Sequence, residues 1–429
     1  MLKNKILLTL LLIFNGCNTT NTNNKNNVKD AKKTPLIIIG INFKNENIIN
    51  KDKWSDKIFN TDINSLNGYF LKTSNNNFYF EKVKETYNKE NDGYIEVTLD
   101  YNHPNPDSIL SDEYIKMESL AFEKALKYIP NIEEYDTNKD NELSRRELTI
   151  IFIVAGSEAA TGSTENSVWA NSNELRKTKY ERFRLNNLTI TAHFGLFGEY
   201  HNNKSYKATI GIIAHELTHA VFEAPDLYNT ENGNYGIGPF GLMALGSWNS
   251  IGDNYPGTSP KELSAYFKVK EKWTEVNEIL TEGKYIINDT NSINENILKM
   301  SINEKEYFLI ENLSINGFDK GLERYVRGYK GGIAIWHIDE NIIEDNLFYN
   351  KVNNDVNHKG IDLEEAKTDN LDNGKLPEYT DLYFNGNNNK FGNNTIPNNN
   401  KSYTNELNKY EIYDISNISE EMSLKIIKK

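Results

Sequence analysis

Residues 212–221 read IIAHELTHAV, and this stretch decides how the rest of the chain is interpreted. His215 and His219 are four residues apart, a spacing that places both imidazoles on one face of a helix. Two neutral ring nitrogens on one face can bind a single zinc ion. Glu216 follows the first histidine directly, which places its carboxylate beside the metal as the general base for an activated water. The pattern predicts a helix over residues 208–222 that carries a metal site.

A chance occurrence of the motif and a purely structural helix both compete with a zinc site at these five residues. The motif arises by chance in on the order of one random chain in a hundred of this composition. A buried helix can also hold two hydrogen-bonded histidines without any metal. The flanking sequence is therefore needed to distinguish a zinc site from a chance motif and from a purely structural helix.

Composition narrows the class of protein before any further motif is considered. The chain has 429 residues, a formal net charge of −13 and a hydrophobic fraction of 38%. This acidic balance argues against nucleic acid as a partner, because phosphate binding needs clusters of Lys and Arg. It is compatible with Ca²⁺, which prefers carboxylate oxygens. Cys17 is the only cysteine, so no intramolecular disulfide can form, and bound metal is the expected substitute.

The N-terminal residues are typical of an exported lipoprotein. Residues 1–16 combine two early lysines with an apolar run too short to span a bilayer, and Cys17 follows a small residue. Residues 17–33 are rich in Asn, Thr and Lys and are expected to form a flexible tether. We expect a lipoprotein-type signal peptide over 1–16 and a lipid anchor on Cys17 at the bacterial cell surface or outer membrane. Without lipidation of Cys17, the protein would be secreted.

Apolar runs and helical periodicity alternate along the first part of the chain. Strands are expected at 35–43, 78–83, 93–99 and 149–155, and helices at 65–72, 114–129 and 208–222. This alternation predicts an α/β (α+β) catalytic domain over residues 34–275. Later strands are expected at 285–287, 297–300, 307–310 and 332–336. They predict a β-rich C-terminal region over 276–429 that packs on the catalytic domain.

Residues 136–147, DTNKDNELSRRE, fit a twelve-residue Ca²⁺-binding loop. Oxygen-bearing residues fall at alternating positions, and the closing glutamate can chelate with two oxygens. The expected ligands are Asp136, Asn138, Asp140, Ser144 and Glu147, with Glu142 contributing its backbone carbonyl. Asn141 stands where glycine usually makes the sharp turn, and asparagine tolerates the left-handed conformation better than most residues. The alternative is a solvated polar turn before the next strand.

With these flanks, the chain resembles the immune inhibitor A family of secreted bacterial zinc metallopeptidases. The blocks that carry the resemblance follow one another in the family's order and together are far more specific than the histidine motif alone. They are 136–147 with 153–156 and 168–170, 215–219 with 224–228, 241–248, 260–273, 306–312, 332–340 and 360–366. The resemblance spans residues 35–427.

The resemblance implies a metzincin-like catalytic domain that hydrolyses peptide bonds. Carried over residue by residue, it makes His215 and His219 zinc ligands and Glu216 the general base. Asp226 becomes the third zinc ligand, and Met243 becomes the apolar floor beneath the metal. One zinc ion would be catalytic, and at least one calcium ion would be structural.

The chain departs from the family pattern just after the second histidine. Phe222 stands where family members mostly carry glycine, and one extra residue precedes Pro225 and Asp226. Because phenylalanine cannot make the sharp turn cheaply, we expect the helix to run one residue longer and to turn at 223–225. Glu223 is therefore a rival third ligand. Asp226 is favoured, because Pro225 ends the helix and presents the carboxylate that follows.

The expected partners are protein or peptide substrates, host proteins among them, and the chain is expected to act as a monomer. The alternative function is that of a surface-anchored binding protein that keeps the peptidase fold but is catalytically weak or silent. The intact Glu216 argues against this alternative.

Overall fold

The computed structural model describes residues 31–49, 53–106, 108–109, 111–163, 165–202, 204–399 and 407–429. The expected signal peptide and Cys17 lie outside the described residues, as does most of the expected tether. The first strand begins at Lys32, so Lys32 and Lys33 belong to the folded part and not to the tether. Their backbones pair with the neighbouring strand, because Lys32 lies opposite Phe78 and Lys33 opposite Tyr79.

The first part of the chain contains twelve described strands and five described α-helices. The strands are β1 Lys32–Asn42, β2 Phe78–Lys82, β3 Tyr94–Thr98, β4 Glu142–Leu143, β5 Thr149–Glu158, β6 Ser167–Val168, β7 Asn171–Glu174, β8 Arg176–Thr178, β9 Glu181–Leu185, β10 Leu188–Ile190, β11 His193–His201 and β12 Tyr206–Lys207. The helices are α1 Trp54–Phe59, α2 Leu66–Thr73, α3 Asp112–Leu126, α4 Ile210–Phe222 and α5 Ala265–Lys270. Each strand and helix expected before residue 275 is present, with ends shifted by a few residues.

A central sheet of eight strands organises this part of the molecule. Its main path runs β12-β11-β5-β1-β2, with β3 pairing β1, β6 pairing β5 and β7 pairing β11. β5 pairs in parallel with β1 on one side and with β11 on the other, and β7 lies antiparallel to β11. All ten residues of β5 are buried, as expected for the middle of a parallel sheet covered on both faces. A smaller sheet, β4-β10-β9-β8, lies apart from it.

Strand β5 runs further than its sequence predicts. The apolar run predicts a strand over 149–155 that ends at Gly156, whereas the strand continues to Glu158. Gly156 has a φ of +121°, and a Cβ there would lie 2.1 Å from the carbonyl oxygen of Asn166. Glycine is required by this close approach, and the next residue, Ser157, donates its N–H to the same carbonyl at 2.8 Å. The strand therefore passes through the glycine without ending.

The C-terminal region is rich in strands, as predicted. Its elements are β13 Glu275–Glu278, β14 Gly283–Asn288, β15 Asn296–Ser301, β16 Glu306–Leu313, β17 Gly332–Asp339, α6 Glu340–Asn346, β18 Ile361–Leu363, β19 Tyr410–Tyr413 and β20 Glu421–Lys428. One sheet has the order β13-β15-β16-β17-β18, and another has the order β14-β20-β19. The protein is therefore of mixed α/β class with a β-rich C-terminal part.

The larger apolar core is shared by the two regions. It contains buried side chains from residues 36–273 and from residues 297–382. Tyr69 of α2 shows the contact directly, because its ring centre lies 5.0 Å from that of Phe318 and its hydroxyl donates to the carbonyl of Lys261 at 2.9 Å. The C-terminal region consequently packs on the first region.

A buried ionic network also joins the two regions. The ammonium of Lys268 in α5 is fully buried and lies 3.5 Å from a carboxylate oxygen of Glu262 and 3.5 Å from one of Glu311. It also donates a hydrogen bond to Glu295. Glu295 and Glu311 belong to the C-terminal region, and the Trp336 indole N–H donates to Glu311 at 2.8 Å. Buried charges need such partners, because an unpaired one is costly to remove from water.

Across the described part of the chain, helices that are both long and apolar enough to cross a bilayer are absent.

Candidate metal centre

Helix α4 presents the histidine motif from a buried position in the middle of the first region. Twelve of its thirteen residues are buried, and His219 is half-buried. The helix packs on β11 and β7 of the central sheet. Gly195 of β11 allows this close approach, because a Cβ there would lie 3.0 Å from the Cβ of Glu216. The helix therefore packs closely against the sheet at Gly195.

Backbone carbonyls set the orientation of both imidazoles. His215 Nδ1 lies 3.0 Å from the carbonyl oxygen of Leu242, and His219 Nδ1 lies 2.6 Å from that of Ala224. A carbonyl only accepts, so each Nδ1 carries the proton and each Nε2 presents a bare lone pair. The two Nε2 atoms lie 3.1 Å apart. This arrangement of a second hydrogen bond behind each ring is typical of metal-binding histidines.

Asp226 completes a triangle of ligand atoms with the two histidines. Its Oδ1 lies 3.1 Å from His215 Nε2 and 3.3 Å from His219 Nε2. Within the described chain, these three residues form the one group of His, Cys, Asp and Glu close enough to share an ion. Two nitrogen lone pairs and a carboxylate oxygen face one another here, and a cation between them removes their mutual repulsion. The residues present therefore fit a divalent metal with nitrogen and oxygen ligands.

The charges within this triangle shift one another's protonation. Burial lowers the pKa of the His219 imidazole, but the Asp226 carboxylate outweighs burial and the net pKa is raised. Burial raises the pKa of Asp226, but His219 and His215 outweigh it and the net pKa is far below its usual range. Each group favours the charged state of the other, so the site attracts a positive charge.

Glu216 is buried beside the triangle and contributes no atom to it. Burial raises its pKa to about 8, and the nearby carboxylates of Asp226 and Glu158 act in the same direction. A cation held by the histidines would lower this pKa again.

The structure distinguishes the two rival third ligands. Helix α4 ends at Phe222, and Glu223 adopts the left-handed conformation with φ 55°. This is the one-residue extension expected from the sequence. The Glu223 side chain is 63% exposed and pairs with Arg145 at 3.1 Å, away from the triangle. Asp226 therefore joins the two histidines, and Glu223 does not.

Phe222 has a structural reason to replace the expected glycine. Its side chain is 3% exposed. Its ring centre lies 4.9 Å from that of Phe78 and 5.1 Å from that of Trp273. The aromatic cluster buries the end of the helix and moves the left-handed residue one position on.

The turn at 241–244 supports the ligands from the other side. Besides accepting His215 Nδ1–H through Leu242, it accepts the N–H of Leu227 through the carbonyl of Met243 at 2.7 Å. Met243 is buried, with 1% of its surface exposed. Its role as an apolar floor beneath a metal stays a prediction.

The acidic loop at 136–147 has the expected turn. Asn141 takes a φ of +63°, the left-handed conformation for which the usual residue is glycine. The carboxylates bind backbone amides, because Asp136 accepts from the N–H of Asp140 at 3.2 Å and Glu147 accepts from that of Thr137 at 3.0 Å. In the described residues the loop's carboxylates are not gathered closely enough to share an ion. Calcium binding stays a prediction for Asp136, Asn138, Asp140, Glu142 and Glu147.

The end of this loop contacts the end of helix α4. Arg145 pairs with Glu223 and also bonds the Nε2 of His193 at 2.9 Å. The guanidinium of Arg146 lies 4.6 Å from the centre of the Phe222 ring. The order of the loop is thus coupled to the turn that precedes Asp226, a connection with no local signal in the sequence.

No role was assigned from the sequence to two polar residues near the triangle, Tyr228 within the motif block 224–228 and Glu158 outside every motif. The Tyr228 side chain lies close to the Asp226 carboxylate, and burial together with that carboxylate raises its pKa above the usual range. Glu158, at the end of β5, accepts the N–H groups of Ala170 at 3.0 Å and Gly198 at 3.3 Å. Burial raises the pKa of Glu158 to about 7. The only signal for Glu158 is a carboxylate directly after a long apolar run.

Comparison with known proteins gives little to set beside this geometry. No protein-family model matches the chain. No curated protein matches it either. Among solved structures, wild-type OgpA from Akkermansia muciniphila is 12% identical and covers 72% of this chain and 90% of its own, with a TM-score of 0.25. At that TM-score the likeness supports no conclusion about fold or function.

Proposed function

We propose that this protein is a zinc-dependent endopeptidase with a metzincin-like catalytic domain over residues 34–275. The observation that carries the proposal is the convergence of His215 Nε2, His219 Nε2 and Asp226 Oδ1 beside the buried carboxylate of Glu216. Three protein ligands with an adjacent carboxylate are the composition of a hydrolytic zinc site. The resemblance of the flanking motifs to immune inhibitor A peptidases favours a peptide bond as the target.

In this proposal, three residues bind the metal and a fourth transfers the proton. His215, His219 and Asp226 would hold the zinc ion, which when bound supplies Lewis acidity toward water and the scissile carbonyl. Glu216 accepts the proton of the attacking water and returns it to the leaving amine. Burial of Glu216 keeps bulk water from competing for that proton.

Cellular placement is part of the proposal. The protein would be exported, anchored by a lipid on Cys17, and act as a monomer on extracellular proteins. Calcium in the loop at 136–147 would serve stability, because that loop contacts α4 through its two arginines.

The test compares the purified wild type with Glu216→Ala on casein and on fluorogenic peptides. We expect activity to fall by a factor of about 10²–10⁴ or more, the usual contribution of a general acid-base group. Zinc content should stay at one ion per chain, because Glu216 is not a ligand. Equal hydrolysis by both proteins would refute the mechanism and favour a silent binding protein.

Two matched carboxylate variants test the ligand assignment. Asp226→Asn should lose zinc and activity together. Glu223→Gln should keep both, because its side chain is exposed and directed at Arg145. Zinc loss from Glu223→Gln with retention in Asp226→Asn would reverse the assignment.

A further inference from the structure

The side chain of Asn350 forms two hydrogen bonds with Asp226, although the two residues are far apart in the sequence. The two residues are 124 positions apart, and Asn350 follows the short 3-10 helix Leu347–Tyr349 in the C-terminal region. Its side-chain Oδ1 accepts the backbone N–H of Asp226 at 2.7 Å. Its Nδ2 donates to the carboxylate Oδ2 of Asp226 at 2.7 Å. One amide therefore holds both the backbone and the side chain of Asp226.

These two bonds determine which oxygen of Asp226 faces the histidines. With Oδ2 bound to the Asn350 amide, Oδ1 is the oxygen left toward the two Nε2 atoms. Oδ1 is buried and has no hydrogen-bond partner in the described residues. A carboxylate bonded at one oxygen and bare at the other is prepared to give a single bond to a metal.

A left-handed backbone conformation and several hydrogen bonds to the Asp226 loop fix the position of the Asn350 side chain. Asn350 has a φ of +53°, a conformation that asparagine tolerates and most residues avoid. Thr230 donates to the Asn350 carbonyl at 3.1 Å and, through its N–H, to the Asn354 side chain at 3.0 Å. Asn353 donates to the carbonyl of Leu227 at 3.2 Å. Residues 350–354 thus lie along the whole loop that carries Asp226.

We propose that Asn350 is a positioning residue for Asp226, so that the C-terminal region completes the metal centre. The proposal rests on the zinc site proposed above. Asn350 does not touch the reacting atoms and acts only through the ligand it orients. Loss of a partner that orients a metal ligand typically weakens metal binding about 10- to 100-fold.

The test measures Zn²⁺ affinity of the metal-free full chain against a competing chelator, together with the visible spectrum of the Co²⁺ form. Asn350→Gly keeps the backbone conformation and removes both bonds to Asp226. We expect its Zn²⁺ dissociation constant to rise about 10- to 100-fold. The Co²⁺ absorption bands should shift or weaken, which a change in stability alone would not produce. Asn186→Gly is the matched control, because Asn186 has a φ of +53° in the turn between β9 and β10.

The outcomes separate this proposal from the proposed function. Wild-type affinity and an unchanged Co²⁺ spectrum in Asn350→Gly would overturn the positioning role and leave the zinc site intact. A wild type that binds no Zn²⁺ would overturn the proposed function and the positioning role with it. If Asn350→Gly does not fold, Asn350→Asp decides, because it keeps the acceptor for the Asp226 N–H and sets a repelling carboxylate oxygen against Oδ2 in place of the donor. It too should bind Zn²⁺ at least about 10-fold more weakly.

Discussion

Replacing Lys268 by methionine should destabilise the protein strongly, because it removes a buried charge from a network of buried carboxylates. The side chain is fully buried, and its ammonium forms ion pairs with the carboxylates of Glu262, Glu295 and Glu311. Methionine fills a similar volume but removes one of two buried cations near these carboxylates, because Lys261 lies close by and pairs with Asp319 at 2.6 Å. The expected loss therefore measures how strongly this network joins the two regions.

The magnitude follows from the cost of breaking a buried ion pair by removing one partner, about 3–5 kcal/mol. Because Lys268 contacts three carboxylates but Lys261 supplies a second cation near two of them, we expect the middle of this range, about 4 kcal/mol. That is a large part of the roughly 5–15 kcal/mol that stabilises a typical folded domain. Burial already raises the pKa of Glu295 to about 7 beside the lysine, and without it the pKa should rise further. When the pKa of a carboxyl is higher in the folded than in the unfolded protein, the folded state loses stability as pH rises and the group deprotonates. Lys268→Met should therefore be less damaging at pH 5 than at pH 8.

The assay is urea unfolding followed by tryptophan fluorescence at both pH values, with metal content held constant because bound metal adds its own stabilisation. Lys270→Met is the matched control in the same helix, because Lys270 is exposed and should change the free energy of unfolding by less than about 0.5 kcal/mol. A loss below about 1 kcal/mol for Lys268→Met would refute the reasoning. So would a loss that grows as pH falls.

Two further measurements test the calcium loop and a second buried charge. Removing Ca²⁺ with EGTA should lower the melting temperature of the wild type, and Asp140→Ala should abolish that response; an unresponsive wild type would exclude the calcium site. Burial lowers the pKa of His337, but Glu306 at 2.9 Å and Glu364 at 3.3 Å outweigh burial and raise the pKa to about 9. A raised histidine pKa adds stability that is complete below pH 6.5, so up to about 3 kcal/mol should be lost between pH 6.5 and 9. His337→Gln should flatten this part of the stability curve, and an unchanged pH dependence in the variant would contradict it.

Local periodicity explains why the centre of the candidate site was predictable. Four-residue spacing in a helix places His215 and His219 on one face whatever the rest of the chain does. The extension of α4 through Phe222, with the left-handed turn at Glu223, also followed from a local rule, since phenylalanine does not replace glycine in a left-handed turn. Likewise Asn141 takes the left-handed conformation expected at the sixth loop position.

Features that depend on distant parts of the chain were not predictable in the same way. Strand β11, with the sequence HFGLFGEYH, lacks regular alternation and contains two glycines, so nothing local marks it as a central strand. Its place is set by pairing with β5 on one side and β7 on the other. Asn350 is one asparagine in an asparagine-rich chain, and only the folded structure places it on Asp226.

The difference between local and distant ligands has a consequence for the metal site. Helix α4 places His215 and His219 on one face through their four-residue spacing, while the carbonyls of Leu242 and Ala224 orient the two rings. In the zinc site proposed above, the third ligand, Asp226, is held by Asn350 of the C-terminal region. Metal affinity should therefore report closure of the whole fold, since a site with two ligands binds zinc far less tightly than one with three. If the proposed zinc site is correct, the C-terminal region contributes to metal binding through Asn350, although it supplies no ligand itself.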